Sequence, residues 1–144
     1  MNGANVNGEV ENATAVAAVE MRSVTDIDRA LDAEVVERLR DLAAATDASL
    51  LGQIFEAFLA DGEARIIALR HALQESDAAG LRKAAHALKG ASANIGARRM
   101  AEITEQLQAL GEANSIAGAA PLIDTLQVEF ARVRAEIAVQ LEQS

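Results

Sequence analysis

At 144 residues, with a formal charge of −9 and a pI near 4.7, the chain is sized for one domain. It is too acidic for nucleic acid, whose phosphates demand a basic footprint, or for docking on an anionic membrane. With no cysteine it can hold no disulfide framework, and thiol chemistry and cysteine-based metal sites are excluded.

Abundant alanine and leucine, three phenylalanines and neither tryptophan nor tyrosine argue for helices over strands. The opening stretch MNGANVNGEVENATAVAAVE lacks the basic n-region and long apolar core of a signal peptide. No apolar run approaches the ~18 uninterrupted residues of a transmembrane helix. A soluble, cytoplasmic, all-α protein is expected, and the initiating methionine without any attached receiver or kinase region points to a stand-alone one.

Residues 1–27 are rich in Asn, Gly, Ala and acidic side chains and carry one basic residue, Arg22. They read as a flexible leader, with a short helix around Val10 to Val24 as the alternative. Residues 28–144 read as the helical domain. Asp32 is placed to cap a first helix with Val35, Val36, Leu39 and Leu42 on one side. A second helix is expected from Thr46 or Asp47 to about Glu75. Its apolar stripe runs through Leu50, Leu51, Ile54, Phe58, Leu59, Ile66, Leu69 and Leu73, and Gly62 interrupts it. Asp77 suits the N-cap of a third helix and Gly96 its C-terminal stop. A fourth, Ala97 to Leu110, repeats Met100, Ile103, Leu107 and Leu110 at three and four, with Gly111 as its stop. Pro121 falls in the first turn of a fifth helix, which carries Leu122, Ile123, Leu126, Phe130, Val133, Ile137 and Leu141. Four long amphipathic helices on short loops make an antiparallel four-helix bundle, with the shorter N-terminal helix covering one end.

The third helix carries the candidate chemistry. At ~100° per residue, Leu81, Ala84, Ala85, Leu88, Ala91, Ser92 and Ile95 cluster opposite His86. Arg82, Lys83, Lys89, Gly90 and Ala93 cluster near it. The apolar side must face the bundle, so His86 points to water with three cations around it. Those cations disfavour the imidazolium, leaving a neutral ring with a nitrogen lone pair available as nucleophile. Lys89, one turn on, is positioned to neutralise a phosphoryl group on that nitrogen. A solvent-facing glycine within a helix costs ~0.5–1 kcal/mol against alanine; Gly90 makes sense if another surface must come close. His71 lies opposite the apolar stripe of the second helix, beside Arg70, and reads as part of a solvated face.

The string AHALKGASANIGA resembles the signature of histidine-containing phosphotransfer (HPt) domains, a histidine followed at three by a lysine–glycine pair, then a small residue and a closing glycine. The likeness extends to FEAFLADGEARIIALRHAL before it and QLQALG after it, over roughly residues 30–143. It implies that His86 is the phospho-acceptor through Nε2, that Lys89 stabilises the phosphoryl group, and that Gly90 leaves room for the partner. It also implies a phosphoryl-stabilising role for Gln108, from the neighbouring helix, and a small-residue position at Ser92, which the helical wheel turns towards the bundle for packing.

The function implied is that of a phosphorelay intermediate, shuttling a phosphoryl group between His86 and the aspartates of response-regulator receiver domains, with a hybrid histidine kinase upstream. A glycine-rich nucleotide loop and a P-loop lysine motif are absent from the sequence. A phosphocarrier without autonomous kinase activity is therefore expected, monomeric and with no cofactor or metal of its own, the Mg²⁺ of the reaction belonging to the receiver. Docking is expected around His86, over the small side chains of Ala79, Ala93 and Ala97 and the cations Arg82 and Lys83. Two other readings are a helical adaptor that binds a receiver or kinase without transfer, and a metal-dependent bundle enzyme. The second is poor, because neither histidine has a glutamate three residues before it.

Overall fold

The computed structural model describes residues 29–143. The leader, its alternative helix over Val10 to Val24, and the boundary drawn at residue 28 lie outside them. Five helices follow in order: α1 Ala33–Thr46, α2 Leu50–Gln74, α3 Ala78–Ile95, α4 Arg98–Glu112 and α5 Ala119–Glu142. No strand occurs among the described residues, and none of these helices is long and apolar enough to cross a membrane. Each of α2 to α5 packs on its neighbour in sequence and α5 returns to α2, closing an antiparallel four-helix bundle. Leu69, Leu81, Leu88, Met100, Leu107, Ile123, Leu126 and Val133 are fully buried between them.

The short helix α1 closes the end of the bundle where α3 turns into α4. Asp32 caps it, Oδ1 accepting from the Glu34 N–H at 2.8 Å, while its own N–H donates to the Gly96 carbonyl at 2.8 Å. Its other carboxylate oxygen pairs with Arg98 at the start of α4. Burial pushes the Asp32 carboxyl up, but the Glu34 N–H, the Arg98 guanidinium and the Val35 N–H outweigh it and hold the group below the usual carboxylate range. Gly96 has φ +83°, and a Cβ there would stand 2.9 Å from the Val35 Cβ. Conformation and crowding both require glycine at this turn. At the far edge, Arg40 donates to the Gln140 carbonyl and side-chain oxygen at 2.6 and 2.7 Å, tying α1 to the end of α5.

Several details differ from the sequence reading. Leu42 is 52% exposed, and Ala43 is buried in its place beside the expected Val36, with Leu39 also packed on the core; the seven-residue spacing of Val36 and Ala43 sets the face, and the small alanine permits close approach. The second helix starts at Leu50, because the Asp47 carboxylate accepts from the Ser49 N–H and hydroxyl, both at 2.9 Å, and turns the chain there. Those same bonds hold Asp47 below the usual carboxylate range. Phe55, outside the expected stripe, is fully buried. Gly62 does not interrupt α2, which runs through it; a Cβ there would lie 2.6 Å from the Phe130 ring of α5, so the glycine seats that ring against Phe58, centroids 6.1 Å apart.

Gly111 is the largest change. It is not the stop of the fourth helix but a buried residue inside α4. A Cβ there would meet the Ala78 carbonyl oxygen and the Arg82 Cβ at 2.7 Å and the Arg82 nitrogen at 2.8 Å. Its missing side chain lets the last turn of α4 lie against the first turn of α3.

Candidate functional site

The His-bearing helix is built by local signals. Asp77 caps it, accepting from the Gly80 N–H at 2.9 Å, and left-handed Gly96 ends it. Leu81, Ala84, Ala85, Leu88, Ser92 and Ile95 are buried. With one side committed to the core, a period of 3.6 turns His86 outward, and it is exposed together with Arg82, Lys83, Gly90 and Ala93. Ser92 faces the bundle, its hydroxyl buried without a hydrogen-bond partner.

Of the residues expected at the docking surface, Ala79, Arg82, Lys83 and Ala93 are exposed. Ala97 is not, being fully buried. The turn joining α3 to α4 is only two residues long, and the Ala97 N–H donates back to the Ser92 carbonyl at 2.8 Å, which tucks its methyl into the core. Ala97 therefore leaves the docking set. Gly90 has the opposite environment to Gly111, since a Cβ built on it would find nothing within 4 Å. His71 is exposed on α2, beside an Arg70 that bonds Asp124 of α5 at 2.5 Å.

The surroundings of His86 come from two helices. A hairpin turning at 96–97 sets position 86 opposite 108 and position 89 opposite 105, and the side chains meet accordingly. His86 Nδ1 lies 3.4 Å from Gln108 Oε1, and the Gln108 amide nitrogen donates to Glu112 Oε2 at 3.1 Å. Gln108 thus meets the Nδ1 edge of the ring.

Lys89 is half-buried, its Nζ 3.8 Å from Glu105 Oε1. A pair of this exposure is worth at most ~1 kcal/mol, which leaves the ammonium free to exchange Glu105 for a stronger anion. The three cations around His86 are accordingly matched by an acidic flank, Glu105 and Glu112, on α4. Reading α3 alone missed that flank. The antiparallel pairing of helices across so short a turn is the signal that would have found it.

An exposed imidazole, one nitrogen against an amide oxygen and the other turned away from it, can act as a nucleophile towards a group delivered from outside. The comparisons agree with that chemistry. The sequence model described as the Hpt domain matches residues 53–136, more than half the chain and all of α3 and α4. Among solved structures the chain is similar to histidine-containing phosphotransfer protein B (HptB) from Pseudomonas aeruginosa PAO1, with 29% sequence identity and a TM-score of 0.74. That match covers 81% of this chain and 98% of the other. Comparison with curated proteins finds no match.

Proposed function

Because the chain belongs to the Hpt domain family, and is thereby a histidine phosphotransfer intermediate of a phosphorelay, we propose that His86 carries the phosphoryl group. The supporting observation is the ring's setting: Nδ1 faces Gln108, the ring is exposed, and the space over Gly90 is empty of protein.

In this reading the Nε2 lone pair attacks the phosphorus of a receiver's aspartyl phosphate. The P–O bond to the aspartate breaks, the carboxylate leaves with the electron pair, and an N–P bond forms. Nδ1 keeps its proton throughout, so the phosphorylated ring is cationic. Transfer to a second receiver reverses each step. Lys89 swings from Glu105 to the phosphoryl oxygens and offsets their charge, while Gln108 steadies the ring. Gly90, Ala79 and Ala93 let the receiver's active-site rim approach, and Arg82 and Lys83 orient its acidic pocket.

This protein supplies a nucleophile and a docking face, and has no kinase activity of its own; the receiver brings the aspartate and its Mg²⁺. We take it to act as a cytoplasmic monomer between a hybrid histidine kinase and one or more response regulators.

Incubation with a panel of phosphorylated receivers tests the assignment. Acid-labile label should map to His86 and vanish in His86→Gln, with the helical circular-dichroism signal unchanged. Label that persists in the folded His86→Gln protein, or that maps to His71, overturns it.

A further inference from the structure

We propose that Glu112 is a positioning residue for the transfer: acting through Gln108, it holds His86 in the tautomer whose lone pair is on Nε2. The proposal rests on His86 as phospho-acceptor and adds a residue that the motif does not contain.

The argument begins at the carboxylate. Ionised, Glu112 can only accept hydrogen bonds, whereas a glutamine amide has a donating nitrogen and an accepting oxygen at its two tips. With Glu112 3.1 Å away, the Gln108 nitrogen must face it, and the oxygen is left to face His86 Nδ1 at 3.4 Å. An acceptor there requires hydrogen on Nδ1. A neutral imidazole carries one N–H, so the lone pair falls to Nε2. Without the carboxylate, the amide is free to turn over and present its N–H to Nδ1. The lone pair would then face α4 and an inert N–H would face the partner.

Two further features point the same way. Glu112 is the last residue of α4, where the negative end of the helix dipole disfavours an acid. Among the described residues no cation pairs with it, its one hydrogen bond being that from Gln108. Its placement is therefore unexplained by helix or ion-pair stability.

The chemistry also rewards it. As Nε2 bonds to phosphorus and the P–O bond breaks, positive charge grows on the ring and the Nδ1–H becomes a stronger donor. A Gln108 oxygen polarised by the Glu112 carboxylate meets that change, and stabilises the transition state more than the resting ring. Arg82, Lys83 and Lys89 share the ring's helix and Glu105 on α4 pairs with Lys89; among the described residues it is Gln108 that meets Nδ1, with Glu112 behind it.

Nitrogen-15 NMR of the unphosphorylated full chain reads the tautomer directly, and receiver-driven labelling reads the rate. Wild type should show His86 mainly as Nδ1–H. Glu112→Gln, whose amide can donate or accept, should give a mixture of tautomers and slow labelling roughly two- to tenfold, the rate equivalent of one hydrogen bond. In a Gln108→Ala background the same change should do nothing further. Adding Gln108→Glu to Glu112→Gln should restore the Nδ1–H form by setting a carboxylate directly against the ring. Unchanged tautomer populations in folded Glu112→Gln, or a further loss when it is added to Gln108→Ala, overturns the proposal. Label mapping in wild type decides the His86 assignment separately, because the tautomer arm needs no phosphate.

Discussion

Two glycines flank the site, and their surroundings could hardly differ more. Gly90, one turn beyond His86, faces open space; Gly111, on the neighbouring helix, lies with backbone atoms of α3 within van der Waals range. Both give up about 1 kcal/mol of helix propensity against alanine. At Gly111 the gain is visible inside the molecule, as the contact that brings Gln108 and Glu112 alongside the His-bearing helix. At Gly90 no part of the described chain collects it; in the proposed function the surface that does so belongs to the receiver.

Substituting each glycine by alanine is the sharpest way to separate the two. Gly111→Ala should have the larger effect. Its methyl meets backbone, which cannot swing aside, and overpacking of this kind costs roughly 1–3 kcal/mol, more than the propensity it regains. Thermal unfolding should shift down, and labelling of His86 should slow because α4 is pushed off α3. An unchanged melting temperature breaks the steric account. Gly90→Ala should do the reverse, raising stability by about 0.5–1 kcal/mol while slowing transfer. A wild-type transfer rate in that variant removes the partner from the explanation. Lys89→Ala probes the exposed side further: it should shorten the lifetime of the phosphohistidine and leave the unfolding free energy within about 0.5 kcal/mol of wild type.

The third contact of the hairpin, at its turn, is sharpened by acid. Asp32 is held below the ordinary carboxylate range, so the unfolded chain binds its proton more readily than the folded one. Its stabilisation is complete above the unfolded value of about 3.9 and is lost as the pH falls through the lower folded value. Asp32→Asn should therefore flatten the acid side of the stability curve while leaving the tautomer of His86 unaltered. A curve as steep as wild type would mean that other carboxylates govern acid unfolding. An effect on stability alone is expected at Ser92, where removing a buried, unpartnered hydroxyl should raise stability by up to about 1 kcal/mol without touching the rate.

Much of the fold was readable because its signals are local. The caps at Asp32 and Asp77, the stop at Gly96, and the outward face of His86 each depend on residues within a turn or two. What escaped depends on a neighbour. Hydropathy extended the stripe of α1 from Val36 to Leu42, whereas the helices it docks on select Ala43. A glycine near a helix end reads as a stop, and only the presence of Ala78 and Arg82 beside it shows Gly111 to be a packing position. Ala97 looked like a small surface residue until the tightness of its turn buried it. Gln108 was reached by family likeness alone, and Glu112, Glu105 and the ring nitrogen that Gln108 meets required two helices at once.

The two-residue turn between α3 and α4 has a consequence for how the site comes into being. Nucleophile, lysine, amide and carboxylate all belong to one hairpin, and closing it needs no distant part of the chain. Loop closure over so short a span is entropically cheap, and local contacts form early in folding. The site's geometry thus rests on the most local tertiary contacts of this topology, and α2 and α5 cover the apolar side of the hairpin. Substitutions in those two helices should change how long the site survives more than how it is built.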